Sequence, residues 1–352
     1  MKKNVKKVLA ALLAVLMMVP LFAVGSSAKD TNKYQGKSLV ILGDSIAAGF
    51  GLAPGSKDAV TQVLQMPHGE FVQGSWPLAI RDRFGFSKET SVNLSRSMWR
   101  CDEFLRLLDP SFEKELCLPE NTFDQYLSDY LMFPTELTRP GDALALDAQI
   151  EGAIKQADVL VFSLCSNDVM TAAICKPLLL PFYQVFGRQA GYALASVTEQ
   201  QLLFPTTVEG WGKFALGTLE FDDLATDVRK RSEKFFRNYD RLLSIIYKLN
   251  PDVEVYTMGF TQPFKDLKNT PTMDSTLFAP LNAEMITKTR NYVTKTSPYA
   301  KKVKYIECSD VGGYQFPYGY SLQFLLDFIV AVHPDEAGHK KLASHVANAL
   351  NK

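Results

Sequence analysis

Five short apolar runs, each separated from the next by a helical or irregular stretch, constrain the fold of this chain more than any other feature. They are Ser38–Leu42, Ser91–Leu94, Asp158–Leu164, Val253–Gly259 and Val303–Glu307. A strand that is apolar on both faces has to be covered on both sides, which is the situation in a parallel sheet crossed over by helices. The fourth run follows an amphipathic stretch, about Asp222–Leu249. There Phe235, Leu242, Ile245, Ile246 and Leu249 recur at helical spacing, and Asn250-Pro251 ends the pattern. The fifth run leads through a Gly- and Tyr-rich loop to a final helix, Pro334–Leu350. Its opening Pro334, Asp335 and Glu336 suit a first turn, because proline tolerates N1 and acids complement the positive end of the dipole. Strands alternating with helices predict a doubly wound α/β sheet.

Two long stretches interrupt the alternation, about 97–150 and about 169–221. The second is apolar and punctuated, as in Pro177-Leu178-Leu179-Leu180-Pro181-Phe182-Tyr183. Such insertions serve as a lid or substrate wall, or as extra helices on the scaffold. With 47% apolar residues, the 352-residue chain carries too little polar bias for disorder. The 38 basic and 38 acidic residues balance, but Lys2, Lys3, Lys6 and Lys7 stand at the N-terminus with no acid nearby. The remaining 34 basic against 38 acidic groups make a mildly acidic body, with no electrostatic footprint for nucleic acid or an anionic membrane.

The first 28 residues have the layout of a signal peptide. Met1–Lys7 is basic, Val8–Val24 is apolar, and Gly25-Ser26-Ser27-Ala28 puts small residues before a cut after Ala28. The apolar run holds 17 residues and is broken by Pro20, short for a span. The expectation is a secreted protein, residues 29–352 forming one domain, with no stable membrane anchor after cleavage. Export permits disulfides. Of Cys101, Cys117, Cys165, Cys175 and Cys308, the pairs Cys101–Cys117 and Cys165–Cys175 are candidate bridges, and small buried hydrophobes are the plainer reading.

Reacting groups in open α/β sheets sit at the carboxyl ends of strands. After the first strand comes Gly43-Asp44-Ser45. A serine at a strand-to-helix turn exposes its hydroxyl at the rim, and its own amide has no helical acceptor, so one turn can supply a nucleophile and an oxyanion donor. After the third strand comes Cys165-Ser166-Asn167-Asp168, where a neutral amide can donate to an oxyanion without titrating. Each of these two segments alone is also an ordinary turn. Near the end comes His333-Pro334-Asp335-Glu336-Ala337-Gly338-His339. A histidine on a proline corner can take the serine proton and return it to the leaving group. Of the other histidines, His339 and His345 lie in the final helix as solvated or packing residues, and His68 is a loop residue and weaker base. No Walker-type loop, complete dinucleotide fingerprint or His-Glu-x-x-His zinc motif is present, so neither cofactor nor metal is expected.

Together these three sites resemble the SGNH, or GDSL-type, hydrolase family from Leu39 to Leu350, the two long stretches excepted. The resemblance implies a three-layer α/β/α sandwich with a five-stranded, flavodoxin-like parallel sheet. It implies Ser45 as nucleophile, His333 as base, and an oxyanion hole made by the Ser45 amide, the Asn167 side chain and the amide of Met98. It also implies an exported esterase acting on small-molecule or polysaccharide esters, either O-acetyl groups of carbohydrates or lipid esters. The sequence departs from the family pattern in three places. Met98 and Cys165 replace the glycines of the second and third blocks, and Val330 stands where an acid precedes the catalytic histidine by three residues. Three resolutions stay open: Asp327 reaches the imidazole, a backbone carbonyl orients it in a Ser–His dyad, or the protein is a catalytically inactive surface or carbohydrate-binding protein. Tyr314, Phe316, Tyr318, Tyr320 and Phe324, before the base, are candidates for stacking on sugar rings.

Overall fold

The structure, a computed structural model, describes residues 31–52, 70–97, 99–112, 140–163, 166–169, 221–262, 279–312 and 333–352. The leader, most of both long stretches, Cys117, Cys165, Cys175 and the aromatic loop 314–324 lie outside the described residues.

Five strands form one sheet in the order β2-β1-β3-β4-β5. They are β1 (Leu39–Gly43), β2 (Val92–Asn93), β3 (Val159–Ser163), β4 (Glu254–Met258) and β5 (Val303–Ile306), and every neighbouring pair is parallel. β2 to β5 lie within the apolar runs read from the sequence, and β1 runs one residue past its own, to Gly43. β1 and β3 are buried at every position, which is why they read as unbroken runs rather than alternating ones. They pair in register from Leu39 with Val159 to Gly43 with Ser163.

Successive strand side chains point to opposite faces. Val40, Leu42, Leu160 and Phe162 enter one core, and Leu39, Ile41, Val159 and Val161 the other. In chain order the α-helices named here, all among the described residues, are α1 (Ser45–Ala48), α2 (Trp76–Phe84), α3 (Cys101–Leu108), α4 (Pro140–Gln156), α5 (Phe221–Leu249), α6 (Ala279–Asn291) and α7 (Glu336–Leu350). Helices α3, α4, α5 and α6 cover the first core; α2 and α7 cover the second. The contributions come at helical spacing, as with Leu146, Ile150 and Ile154 of α4 or Leu342, Val346 and Leu350 of α7. The result is the three-layer α/β/α architecture. The 97–150 stretch thus begins and ends in helices, α3 and α4, that belong to the core.

The final helix differs from the sequence reading at its start. Asp335, not a residue before Pro334, is the N-cap: its carboxylate accepts the Gly338 N–H at 2.8 Å, and its carbonyl accepts from His339. Pro334 therefore lies before the cap rather than at N1. A short acid that can close on an orphan N–H is the stronger start signal. Helices α3 and α5 are joined through a buried ion pair, Lys234 Nζ to Asp102 Oδ2 at 2.8 Å, with Asn238 Nδ2 donating to Asp102 Oδ1 at 2.6 Å. Desolvation offsets much of the Coulombic gain of such a pair, so it fixes the mutual register of the helices more than it adds stability. Cys308 is a buried free thiol. No helix among the described residues is long and apolar enough to cross a membrane.

Gly43 ends β1 at a crowded point. A Cβ there would stand 2.6 Å from both Ala47 Cβ and Ser95 Oγ. Gly43→Ala should therefore destabilise the protein by about 1–3 kcal/mol through overpacking. Urea unfolding followed by circular dichroism measures this, and an unchanged midpoint would refute the packing argument.

Candidate active site

The sheet order places β1 between strands reached in opposite directions, and the crevice at such a switch point lies beyond the carboxyl ends of β1 and β3. The β1–β3 ladder continues one step further, with Asp44 N donating to Ser163 O at 3.0 Å. Ser45 is the next residue and the first of the short helix α1. Asp44 caps α1 by accepting the Ile46 N–H at 3.0 Å, and Gly49 closes it at φ 83°, where a side chain would be strained. Asn93, at the end of β2, pins the same turn from the side. Its Nδ2 donates to Ala47 O at 2.9 Å and to Glu70 O at 2.8 Å, and its Oδ1 accepts from Ser95 N. Ser45 is thus held on a cramped turn whose backbone groups are largely committed, and it is 5% exposed.

His333 approaches from the start of α7. Its Nε2 lies 2.7 Å from Ser45 Oγ, a contact between residues 288 apart in the chain. With the serine hydroxyl donating, the ring proton sits on Nδ1 and Nε2 is the acceptor, the arrangement a general base needs. Phe50 lies against the imidazole, ring centroids 4.4 Å apart. The serine and histidine read from the sequence therefore meet. Phe50 was not singled out as a site residue, and only its nearness to the serine turn signalled it; Asn93 opens the second block, five residues before Met98, but no role was read for it.

Asn167 lies in the helical turn 166–169 after β3. Its Nδ2 donates to Trp99 O at 3.1 Å. The next residue, Asp168, is buried and accepts the Cys101 N–H with Oδ1 at 3.1 Å and Oδ2 at 3.2 Å. The loop after β2 and the turn after β3 are thereby tied at two points. Met98, Asp327, Val330 and His68 lie outside the described residues. A pocket of about 10 Å³ beside the turn, lined by Asp44, Ser163, Ser166 and Thr261 among others, has room for about one water and none for an acyl chain. Among the described residues no group of three or more His, Cys, Asp or Glu side chains is arranged to hold a metal.

Burial dominates the titration of the polar groups under this rim. It pushes the Asp44 carboxyl up to about 7, against the N–H bonds of the turn. It pushes Asp168 up to about 8, helped by the nearby Asp102 and opposed by Arg100 and the Cys101 N–H. His339 is fully buried and packs on α2, its Nδ1 accepting the Trp76 N–H at 3.4 Å while its Nε2 has no acceptor among the described residues. Burial, with the nearby His333 adding, pulls it down to about 3. His345 is a surface partner of Asp310 at 2.7 Å.

No family model matches the chain, and no curated protein matches it in sequence. Solved structures do resemble it. An extracellular lipase from Streptomyces rimosus shares 15% identity at a TM-score of 0.45, covering 89% of this chain and 99% of that one. A lipase from a goat rumen metagenome shares 14% at 0.43, covering 89% and 97%. A family two carbohydrate esterase from Clostridium thermocellum, in a complex of its active-site mutant, shares 14% at 0.38, covering 91% and 65%. None of these likenesses decides the chemistry, which rests on the geometry above.

His339 makes a pH prediction. The unfolded chain takes up a proton there below about pH 6.5, while the folded chain resists down to about 3. Stability from this group is therefore intact above pH 6.5 and lost as pH falls toward 3. Asp44 and Asp168, raised rather than lowered, pull the opposite way, so the comparison has to be with a variant. Between pH 7 and 5 the wild type should lose about 2 kcal/mol relative to His339→Leu. Urea unfolding at both pH values tests this, and parallel losses in the two proteins would rule it out.

Proposed function

We propose that this chain is an exported serine ester hydrolase of the SGNH type. The single observation carrying the reading is the 2.7 Å contact between His333 Nε2 and Ser45 Oγ, on the carboxyl rim of a parallel sheet. Ser45 Oγ attacks the ester carbonyl carbon while His333 Nε2 takes its proton. The carbonyl oxygen, now carrying charge, is held by the Ser45 amide, the Met98 amide and the Asn167 side chain. The tetrahedral intermediate collapses, the C–O bond to the alcohol breaks, and the imidazolium gives its proton to the departing oxygen. Water, deprotonated by the same histidine, then attacks the acyl-serine, and collapse returns the proton to Ser45 as the acid leaves.

The imidazolium needs an acceptor at Nδ1, either the Asp327 carboxylate or a main-chain carbonyl. Asp327→Ala separates them: a large loss in kcat assigns the carboxylate, and retained turnover assigns the carbonyl. The substrate is an acyl ester of a small molecule or polysaccharide. Relative rates on acetyl and long-chain p-nitrophenyl esters tell a carbohydrate O-acetyl ester from a lipid ester.

Ser45→Ala should abolish hydrolysis of p-nitrophenyl acetate and labelling by a fluorophosphonate probe. Asn167→Ala should keep KM and lower kcat by about 10²–10³. A wild-type protein that neither turns over nor takes the label would instead leave the scaffold as a non-catalytic binding protein.

A further inference from the structure

The backbone that Asn167 leans on is itself held by buried acids. The Trp99–Arg100 peptide unit presents its carbonyl to Asn167 Nδ2 and its N–H to Glu103 Oε2, the latter at 2.8 Å. Glu103 is fully buried and gripped by the Arg100 guanidinium, Nη2 to Oε1 at 2.8 Å. The next peptide N–H, that of Cys101, is accepted by Asp168. Two consecutive amides therefore end on two different buried carboxyl groups, one from α3 and one from the turn that carries Asn167. Helix α3 starts here, so these are first-turn N–H groups that would otherwise lack acceptors. Donating the N–H of a peptide to a carboxylate also makes its carbonyl a better acceptor.

We infer that Asp168, together with Glu103, is a positioning residue for the Asn167 amide: by fixing the Trp99–Cys101 backbone it aims the side chain that binds the oxyanion. A primary amide has two N–H groups, and anchoring one on Trp99 O fixes the direction of the other. Asn167 and Asp168 are adjacent on one turn but grip backbone groups two residues apart. Loss of the second grip leaves the Trp99 carbonyl free to rotate with the loop, and the amide with it. The inference rests on the hydrolase reading, since only there does the direction of Asn167 have a chemical consequence.

A double-mutant cycle in the full chain tests it. Asp168→Ala should lower kcat for p-nitrophenyl acetate by about 10- to 100-fold, the scale of a misplaced donor, with KM within about two-fold. Asp168→Asn, which keeps an acceptor for the Cys101 N–H, should recover most of that loss. In an Asn167→Ala background, Asp168→Ala should cost nothing further, because the group it positions is gone. Losses that simply multiply, a loss carried by KM, or no loss at all would overturn the inference. Circular dichroism checks each fold; if Asp168→Ala does not fold, Asp168→Ser, whose hydroxyl stops short of the amide, runs the same cycle with the same outcomes. A wild type with no Ser45-dependent turnover would instead sink the hydrolase reading, a result distinct from any outcome among the Asp168 variants.

Discussion

The in-register pairing of β1 with β3 is the constraint on which the site depends. Both strands are buried on both faces, so no water can satisfy their amides and each must find its partner across the ladder. Among the described residues the ladder runs on to the Asp44 N–H. Ser45 follows it as the first residue of α1, at the carboxyl rim. The turn after β3 leaves the sheet alongside it. A hydroxyl and a carboxamide from residues more than a hundred positions apart therefore come to the same edge because two strands share a register.

What surrounds the rim is unusually polar for a buried layer. Asp44, Asp102, Glu103, Asp168, Lys234, Asn238 and His339 are all buried. Isolated, each would cost several kcal/mol to desolvate. Here nearly every one meets a backbone amide or an opposite charge, and the energy of those contacts goes into holding turns rather than into net stability. Asp44 fixes the nucleophile turn, Asp168 and Glu103 fix the loop after β2, and the Asp102–Lys234 pair keeps α3 against α5. With burial the largest influence, Asp44 and Asp168 move up and His339 down, so those two carboxyls favour folding at low pH and His339 favours it at high pH.

Much of this was readable in advance. The strands announced themselves because burial on two faces leaves no polar residue to interrupt an apolar run. The long helix α5 was visible from its spacing, and the serine and histidine from their places after a strand and before a helix. Other features were opaque for a physical reason. Pro334 looked like a first helical residue because proline tolerates N1, but whether Asp335 folds its carboxylate back onto Gly338 depends on how the chain enters the helix. His339 could have been solvated or packed with the same neighbours in sequence. It is packed because α7 lies on α2, and its ring then meets the Trp76 N–H. Asn167 carried its chemistry in its side chain, whereas the Trp99 carbonyl that anchors it is a backbone atom, which every residue has and no motif can mark.

Local rules therefore decided by themselves which segments are strands and helices, that the sheet is parallel and doubly covered, and which few side chains could do chemistry at its rim. Periodicity and turn chemistry act over a handful of residues, and those features are of that range. Tertiary structure alone decided that Ser45 and His333 touch across 288 positions, that Asn167 hangs from the loop after β2, and that His339 is dry. Such contacts depend on strand register and helix docking, which come from packing the whole core at once.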